Sequence, residues 1–380
     1  MNKAERIQIF QDILAIKSVN GNEGEVTEYL AQLMAQHGIK SELFEERPGR
    51  KSIVAELGAG TDPRVLGLSG HADTVTVPDE SKWTYPPFAG TVIEDRIYGR
   101  GAADMKGGLA AIVIALIELQ DAGTLPAGRV RLLGTVGEEY DAYGAKDLTA
   151  RGFSADLTGL IITEPTEGNI TYAHAGALNY RVKSYGQTVH SSTPEKGINA
   201  IYNLARYVTA EQTLFESVPV DPALGKIAHS LTIISGGDQI NSIPEYAEVA
   251  GNIRPTPTFS NHAVIDLIQA KLTELNQIDG VKLELEVIHS FLPVATPKND
   301  PFLRFVQEVG TRYFGKEPVL QVELGGTDAS DFVMKNENLP VAIFGNNSFG
   351  TSHQVDEYTD IKSYFALIDS LKEIALSYFA

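Results

Sequence analysis

The chain has 380 residues, more than one hydrophobic core usually supports, so its length predicts two domains. Hydrophobic residues make up 43% and charged residues 21%, a composition typical of folded globular proteins rather than disordered ones. The net charge of −18 disfavours binding to nucleic acid or to an anionic membrane surface, and the lack of cysteine excludes disulfides, thiol nucleophiles and thiolate metal ligands.

The N-terminal segment is amphipathic and lacks the apolar core of a signal peptide, and no later stretch is apolar enough to span a bilayer. We therefore expect a cytoplasmic protein. Residues 4–17 and 22–37 have apolar residues at helical spacing, which predicts two helices at the start of the chain. Asn22 and Glu25 form a cap-like pair for the second helix, and Gly38 is typical of its end.

Strands and helices then alternate along the sequence. The β-rich runs are residues 52–57, 65–69, 130–136 and 157–163, with a helical pattern at 105–119 between the second and third. Such alternation predicts an α/β fold with a mostly parallel sheet, in which ligands bind outside the carboxyl ends of the strands. The polar residues at such ends are His71, Glu138, Glu139 and Glu164.

The element order changes in the middle of the chain. The predicted sequence of elements is strand 178–185, helix 199–211, strand 230–235, strand 247–253, helix 263–275 and strand 281–288. This βαββαβ order is that of a ferredoxin-like unit. After it, alternation resumes from Phe302 to a final helix at 361–378. We therefore predict a discontinuous catalytic domain, residues 1–176 and 291–380, with an inserted domain at 177–290.

Two adjacent carboxylates, Glu138 and Glu139, end an apolar run, so one could bind a cation while the other moves protons. His71 and Asp73 fall on the same side of an extended backbone, and Asp104 lies in a glycine-rich approach to a helix. Each residue alone has an ordinary explanation, such as a surface turn, a helix cap or a solvated strand end. Together with Glu164 and His353 they match the ligand needs of two divalent cations.

These residues lie in a specific series of motifs, at 69–75, 99–108, 137–139, 163–165 and His353. The series resembles, in order, that of the M20 metallopeptidase family, which includes acetylornithine deacetylase, succinyl-diaminopimelate desuccinylase and carboxypeptidase G. The resemblance covers nearly the whole chain. It implies a zinc-peptidase catalytic domain with a mostly parallel sheet and an inserted ferredoxin-like lid domain.

The resemblance also implies a ligand set for two metal ions. His71 and Glu164 would bind the first ion, Glu139 and His353 the second, and Asp104 would bridge them. The ions would be zinc, although the same ligands suit cobalt and manganese.

Further roles follow from the same resemblance. Glu138 would be the general base that takes a proton from the attacking water and returns it to the leaving amine. The Asp73 carboxylate would orient His71 through the ring nitrogen that does not bind metal. The family also has a cis peptide after the bridging aspartate, here Asp104–Met105.

The inserted domain carries a segment, residues 186–200, that resembles the family's lid motif. Its His190 would stabilise the tetrahedral intermediate in the partner subunit, which implies a homodimer through this domain; the alternative is a histidine that simply closes a strand. Arg254 is a candidate clamp for a substrate carboxylate, with a surface salt bridge as the alternative. Asn241 is a candidate substrate contact or a turn residue.

Gly326 and Thr327 belong to a glycine-rich segment that faces the substrate in the family. Here it reads Gly325-Gly-Thr-Asp-Ala-Ser330 instead of the common GGTSD order, and the loop 344–348 lacks the Gly-Pro of many relatives. These departures weaken any transfer of substrate identity and suggest an altered pocket shape. We expect a small N-acyl amino acid with a free carboxylate, such as N-succinyl-diaminopimelate or N-acetylornithine. A dipeptidase or carboxypeptidase stays open, as does a metal-free binding protein on the same fold.

Overall fold

The computed structural model describes residues 1–140, 142–346 and 349–380. Its α-helices are α1 (Lys3–Ala15), α2 (Gly24–Gln36), α3 (Lys106–Asp121), α4 (Tyr143–Ala150), α5 (Ala200–Leu214), α6 (Asn261–Leu275), α7 (Pro301–Phe314), α8 (Ala329–Phe332) and α9 (Ile361–Ser377). Its strands are β1 (Ser41–Arg47), β2 (Arg50–Leu57), β3 (Val65–His71), β4 (Thr91–Ile93), β5 (Arg96–Tyr98), β6 (Arg129–Thr135), β7 (Gly159–Ile162), β8 (Ile170–His174), β9 (Ala177–Tyr185), β10 (Ala228–Gly236), β11 (Tyr246–Arg254), β12 (Leu283–Phe291), β13 (Val294–Ala295), β14 (Leu320–Glu323), β15 (Val341–Ile343) and β16 (Tyr358–Asp360).

The chain divides into two compact units. The first contains residues 1–172, 295–321 and 327–380, and the second contains residues 173–294 and 322–326. The second unit therefore includes, besides one continuous segment, a short piece of β14 and the glycines that follow it. Within the described ranges, no helix is both long and apolar enough to cross a bilayer.

The large sheet of the first unit confirms the predicted α/β fold with a mostly parallel sheet. Seven strands of this nine-stranded sheet follow the order β1-β2-β6-β3-β7-β15-β8. The central strands β6, β3, β7 and β15 are parallel, whereas β1, β2 and β8 pair antiparallel at the flanks. Parallel strands end on the same edge of a sheet, so the residues after β3, β6 and β7 are brought together.

Helix α3 lies at the centre of the main core. It is apolar on all sides, and every residue from Lys106 to Leu119 is buried, as expected of a helix enclosed by other elements. Gly108 allows this close packing, because a Cβ atom there would lie 2.3 Å from the backbone oxygen of Thr163. The glycines after Asp104 therefore let the first turn of α3 approach the end of β7.

The helix ends differ in part from the prediction. Asn2 caps α1 through a capping box with Glu5. The predicted cap of α2 by Asn22 and Glu25 is wrong, because the N-cap position is Glu23, whose side chain makes no cap hydrogen bond. Gly38 does follow α2 with a φ of 76°, the left-handed conformation that glycine adopts at a helix end.

The second unit has the element order predicted for the ferredoxin-like insertion. Its sheet follows the order β10-β11-β9-β12, with all three pairings antiparallel, and helices α5 and α6 pack on it. Alternate residues of β9 and β11 are buried, which gives a core that includes Tyr180, Tyr207 and Leu272. Strand β10 forms one edge of this sheet and is mostly exposed.

Candidate metal centre

Three neighbouring strands deliver the candidate residues to one edge of the large sheet. His71 is the last residue of β3 and lies opposite Thr135, the last residue of β6. The pair Glu138 and Glu139 follows β6 after two intervening residues, and Glu164 follows β7 after one. These polar side chains therefore lie close together at the carboxyl ends of β3, β6 and β7.

The predicted ligand residues lie within a few ångströms of one another. His71 Nε2 is 3.2 Å from Asp104 Oδ1 and 3.6 Å from Glu164 Oε1. His353 Nε2 is 2.8 Å from Glu139 Oε1 and 3.3 Å from Asp104 Oδ2. Asp104 thus uses one oxygen towards each histidine, which is the arrangement that a bridging carboxylate requires.

The ring of His71 is fixed through its other nitrogen. Nδ1 lies 3.0 Å from the backbone oxygen of Asp73, so an Nδ1–H donor leaves Nε2 facing the carboxylates. The Asp73 carboxylate was predicted to make this contact, but its Oδ1 is 3.6 Å from Nδ1. The structure differs because both oxygens of that carboxylate are used elsewhere.

The Asp73 carboxylate accepts hydrogen bonds from three successive backbone N–H groups. Oδ1 accepts from Gly137 at 2.8 Å and Glu138 at 3.2 Å, and Oδ2 accepts from Glu139 at 3.0 Å. The Asp73 side chain is fully buried. It therefore fixes the backbone that carries both adjacent glutamates.

Asp104 ends a short loop before α3. The Asp104–Met105 peptide is cis, as the resemblance implies. The backbone N–H groups of Ala103 and Asp104 both donate to Glu357 Oε1, at 2.8 and 3.0 Å. Glu357 also forms an ion pair with Arg100. Sequence reasoning gave neither Arg100 nor Glu357 a role, although both lie within or beside the motifs that contain Asp104 and His353.

Charge crowding shifts the pKa values of this cluster. Burial raises the pKa of Glu138 well above its usual value, and nearby Glu164 adds to the rise. Burial also raises the pKa values of Glu164 and Glu139. Burial opposes the charged form of His71, yet Glu164 and Asp104 hold its pKa well above the usual value.

The contact between His353 and Asp104 shifts the pKa values of both residues. Hydrogen bonds to Asp104 and Glu139 raise the pKa of His353 to about 10. Burial opposes ionisation of Asp104, but its contacts with His353 and His71 lower its pKa. The cluster thus contains several carboxylates whose negative charge is only partly balanced by two imidazoles, and a cation would stabilise their ionised forms.

The glycine-rich segment contributes a residue that sequence reasoning missed. The Thr135 hydroxyl donates to Asp328 Oδ2 at 2.5 Å, and burial raises the pKa of Asp328 to about 7. Thr327, a predicted substrate contact, precedes Asp328 in the first unit, whereas Gly326 belongs to the second. In the loop 344–348, Asn347 and Ser348 lie outside the described residues.

The other predicted residues lie in the second unit. His190 and Asn241 are brought together there by backbone contacts. His190 forms an isolated antiparallel β-bridge with Ser242, and the Ser191 N–H donates to the Asn241 carbonyl at 3.0 Å. His190 Nδ1 is 2.7 Å from the Ser192 hydroxyl. Arg254 is half-buried at the end of β11, and none of the described acidic groups forms an ion pair with it. The predicted alternative of a surface salt bridge for Arg254 therefore has no partner in the described chain.

The donor set suits a divalent transition metal. His71, Asp104 and Glu139 each offer a ligand atom, and these atoms lie within 4.8 Å of one another. Imidazole nitrogen and carboxylate oxygen are ligands that zinc, cobalt and manganese accept. The residues present therefore fit a bound metal ion.

Comparisons with known proteins indicate the family of this chain. Residues 67–377 match the model of peptidase family M20/M25/M40. A protein named probable succinyl-diaminopimelate desuccinylase from Staphylococcus aureus is 38% identical over 404 aligned residues, which cover 99% of this chain and 98% of that protein. An acetylornithine deacetylase from Proteus mirabilis is 28% identical, with 97% and 94% covered.

The fold also matches solved structures. A Bacillus subtilis protein described as a dinuclear metal-binding peptidase has a TM-score of 0.73 and 18% identity, with 99% of this chain and 98% of that chain covered. The family model and the sequence relatives each extend over most of the chain. The chain therefore belongs to peptidase family M20/M25/M40 and is a hydrolase.

Proposed function

We propose that this protein is a two-metal amidohydrolase that removes the acyl group from a small N-acyl amino acid with a free carboxylate. The observation that carries the proposal is the convergence of His71, Asp104, Glu139, Glu164 and His353 around one point, with Glu138 beside them. His71 and Glu164 would bind one ion, Glu139 and His353 the other, and Asp104 both. When bound, the ions lower the pKa of water towards neutrality and polarise the substrate carbonyl.

Glu138 would be the residue that moves protons. It is adjacent to Glu139, and its backbone is fixed by Asp73. Burial raises its pKa, and a raised pKa makes the carboxylate a stronger base. It would take a proton from the attacking water and return it to the leaving amine. His190 would donate a hydrogen bond to the developing oxyanion.

The second unit and the glycine-rich segment would select the substrate. Arg254 offers two parallel hydrogen bonds to a substrate carboxylate, and none of the described acids forms an ion pair with it. Asn241, Gly326 and Thr327 complete the proposed contacts. Identity of 38% to the desuccinylase-named relative, against 28% to the deacetylase, favours N-succinyl-diaminopimelate as the substrate class. We place this activity in the cytoplasm.

Metal dependence provides the first test. Treatment with a strong chelator should abolish hydrolysis, and adding back zinc or cobalt should restore it, because the activated water depends on the ions. Metal analysis of the saturated protein should give two ions per chain. Less than one ion per chain, with no hydrolysis, would instead favour a metal-free binding protein.

Substrate choice requires a panel assayed with added zinc or cobalt. It should contain N-succinyl-diaminopimelate, N-acetylornithine, other acyl amino acids and a set of dipeptides. We expect kcat/KM to be highest for the succinylated compound. Preferential cleavage of dipeptides would identify a metallo-dipeptidase or carboxypeptidase and would reject the deacylase proposal while leaving the metal centre intact.

The homodimer is also part of the proposal. Strand β10 of the second unit supports the homodimer proposal. It is an edge strand of its sheet, and its residues Ile233 and Ile234 are 65% and 66% exposed. An exposed apolar edge strand readily pairs with another chain. Beside it, Ile201, Val208 and Gly236 line an apolar groove with a volume of about 400 Å³. A second copy would cover both features.

Mixing two inactive variants tests whether His190 acts in the partner subunit. His190→Ala and Glu138→Gln should each be inactive alone. After the variants are unfolded and refolded together, half of the dimers are mixed, and each has one complete site, so activity should return to about a quarter of wild type. If His190 served its own subunit, the mixture would stay inactive. Each variant refolded alone is the control.

A further inference from the structure

A buried ion pair joins the two segments that carry Asp104 and His353. The side chains of Arg100 and Glu357 are 4% and 0% exposed. Glu357 Oε1 accepts the N–H groups of Ala103 and Asp104, while Arg100 binds the other carboxylate oxygen. A single carboxylate therefore fixes the backbone of Asp104 directly.

The same pair reaches His353 from the other side. Arg100 donates through a second guanidinium nitrogen to the backbone oxygen of His353 at 3.2 Å. His353 has a φ of 63°, in the left-handed region that non-glycine residues adopt only when their surroundings enforce it. The contact with Arg100 is one such constraint on the backbone that aims this ring.

Two further contacts hold the segments in register. The Gly99 N–H donates to the Glu357 carbonyl at 2.9 Å, and the Thr359 hydroxyl donates to the carbonyl of Ala102. The guanidinium of Arg100 also lies 5.2 Å from the ring of Trp83. The pair is thus enclosed, with few other conformations available to either side chain.

We propose that Arg100 and Glu357 are positioning residues that set the separation of Asp104 and His353 and thereby control how tightly the centre holds metal. The inference rests on the proposed function, in which Asp104 and His353 are ligands. It goes further because it assigns a role to two residues that contribute no ligand atom. Partners of ligands that lie outside the coordination sphere commonly change metal affinity by about 10- to 100-fold.

Glu357→Gln removes the charge that binds Arg100 but keeps the side-chain volume and one acceptor for the Asp104 N–H. The probe is Co²⁺ alone, titrated into chelator-treated protein and followed by its visible absorption. We expect the dissociation constant for Co²⁺ to rise by about 10- to 100-fold and the absorption band to change shape, because the ligand geometry changes. Hydrolysis need not be measured.

Glu118→Gln is the matched control. Glu118 is also a buried carboxylate paired with an arginine, Arg6, but it lies about 18 Å along α3 from the end that follows Asp104. This variant should lose stability and keep both the wild-type affinity for Co²⁺ and its spectrum. An equal loss of affinity in Glu118→Gln would overturn the inference, because general destabilisation would then explain both results.

The remaining outcomes separate the inference from the function on which it rests. Wild-type affinity and spectrum in Glu357→Gln would overturn the role of the pair and leave the proposed function standing. A wild-type chain that binds no Co²⁺ would overturn both. If Glu357→Gln does not fold, Arg100→Lys replaces it, because lysine keeps the charge but cannot bridge Glu357 and the His353 carbonyl through a planar fork; the same two outcomes then apply.

Discussion

Glu138→Gln should lower kcat by about 10²- to 10⁴-fold while metal content stays at the wild-type value, because general acid–base catalysis contributes a factor of this size. Glutamine keeps the shape of the side chain and cannot accept a proton from the attacking water. Steady-state kinetics on the best substrate of the panel, with metal analysis of the same sample, measures both quantities. Retained turnover in a folded, metal-loaded variant would reject Glu138 as the base.

Glu138→Gln should lower turnover, but it should not lower the stability of the metal-free protein. Burial is the largest effect that disfavours ionised Glu138. His71 opposes it, but the carboxylates of Glu164, Asp328 and Glu139 add to it, so the pKa of Glu138 is raised. Replacing it by a neutral side chain removes this repulsion, so the chelator-treated variant should unfold at a midpoint equal to or above that of wild type. Glu211→Gln is the control, since Glu211 is buried in the second unit and paired with His229. That variant should lose stability and keep full turnover.

The general outline of the fold was predictable because it follows from local patterns. Alternation of strands and helices predicted the parallel sheet, and the βαββαβ order predicted the sheet of the second unit. The cap of α2 was not predictable in this way. Glu23, next to the expected cap residue, is fully buried and paired with Arg50, a contact between residues 27 positions apart. The N-cap of α2 is therefore determined by a tertiary contact, not by the local sequence pattern that predicted Asn22.

Some residues of the candidate site could likewise be predicted from local patterns, whereas others could not. Residues that end strands, such as His71 and Glu139, could be predicted because parallel strands end at one edge. Arg100 and Glu357 could not, because their contact spans 257 positions and is an ion pair without local periodicity. The contacts of the Asp73 carboxylate could not be predicted for a similar reason. The hydrogen bonds that occupy its carboxylate come from a loop more than sixty residues away.

Asp73→Ala is expected to lower the free energy of unfolding by about 3 kcal/mol, because it leaves three backbone N–H groups without their charged acceptor. The rate of hydrolysis should fall by about 100-fold. The backbone oxygen of Asp73, which binds His71 Nδ1, is retained in this variant. Its effect should therefore arise from displacement of Glu138 and Glu139 rather than from rotation of the histidine. Denaturant unfolding and steady-state kinetics measure the two changes.

Asp221 supplies a matched control in the second unit. It is also a buried aspartate that accepts three backbone N–H groups, from Ala223, Leu224 and Thr258. Asp221→Ala should therefore cost a similar free energy of unfolding, about 3 kcal/mol, with Co²⁺ affinity unchanged. Asp73→Ala should weaken Co²⁺ binding as well, since Glu139 would no longer be held beside His353. Equal Co²⁺ affinities in the two variants would show that the Asp73 carboxylate serves the stability of the loop alone and does not position the ligand.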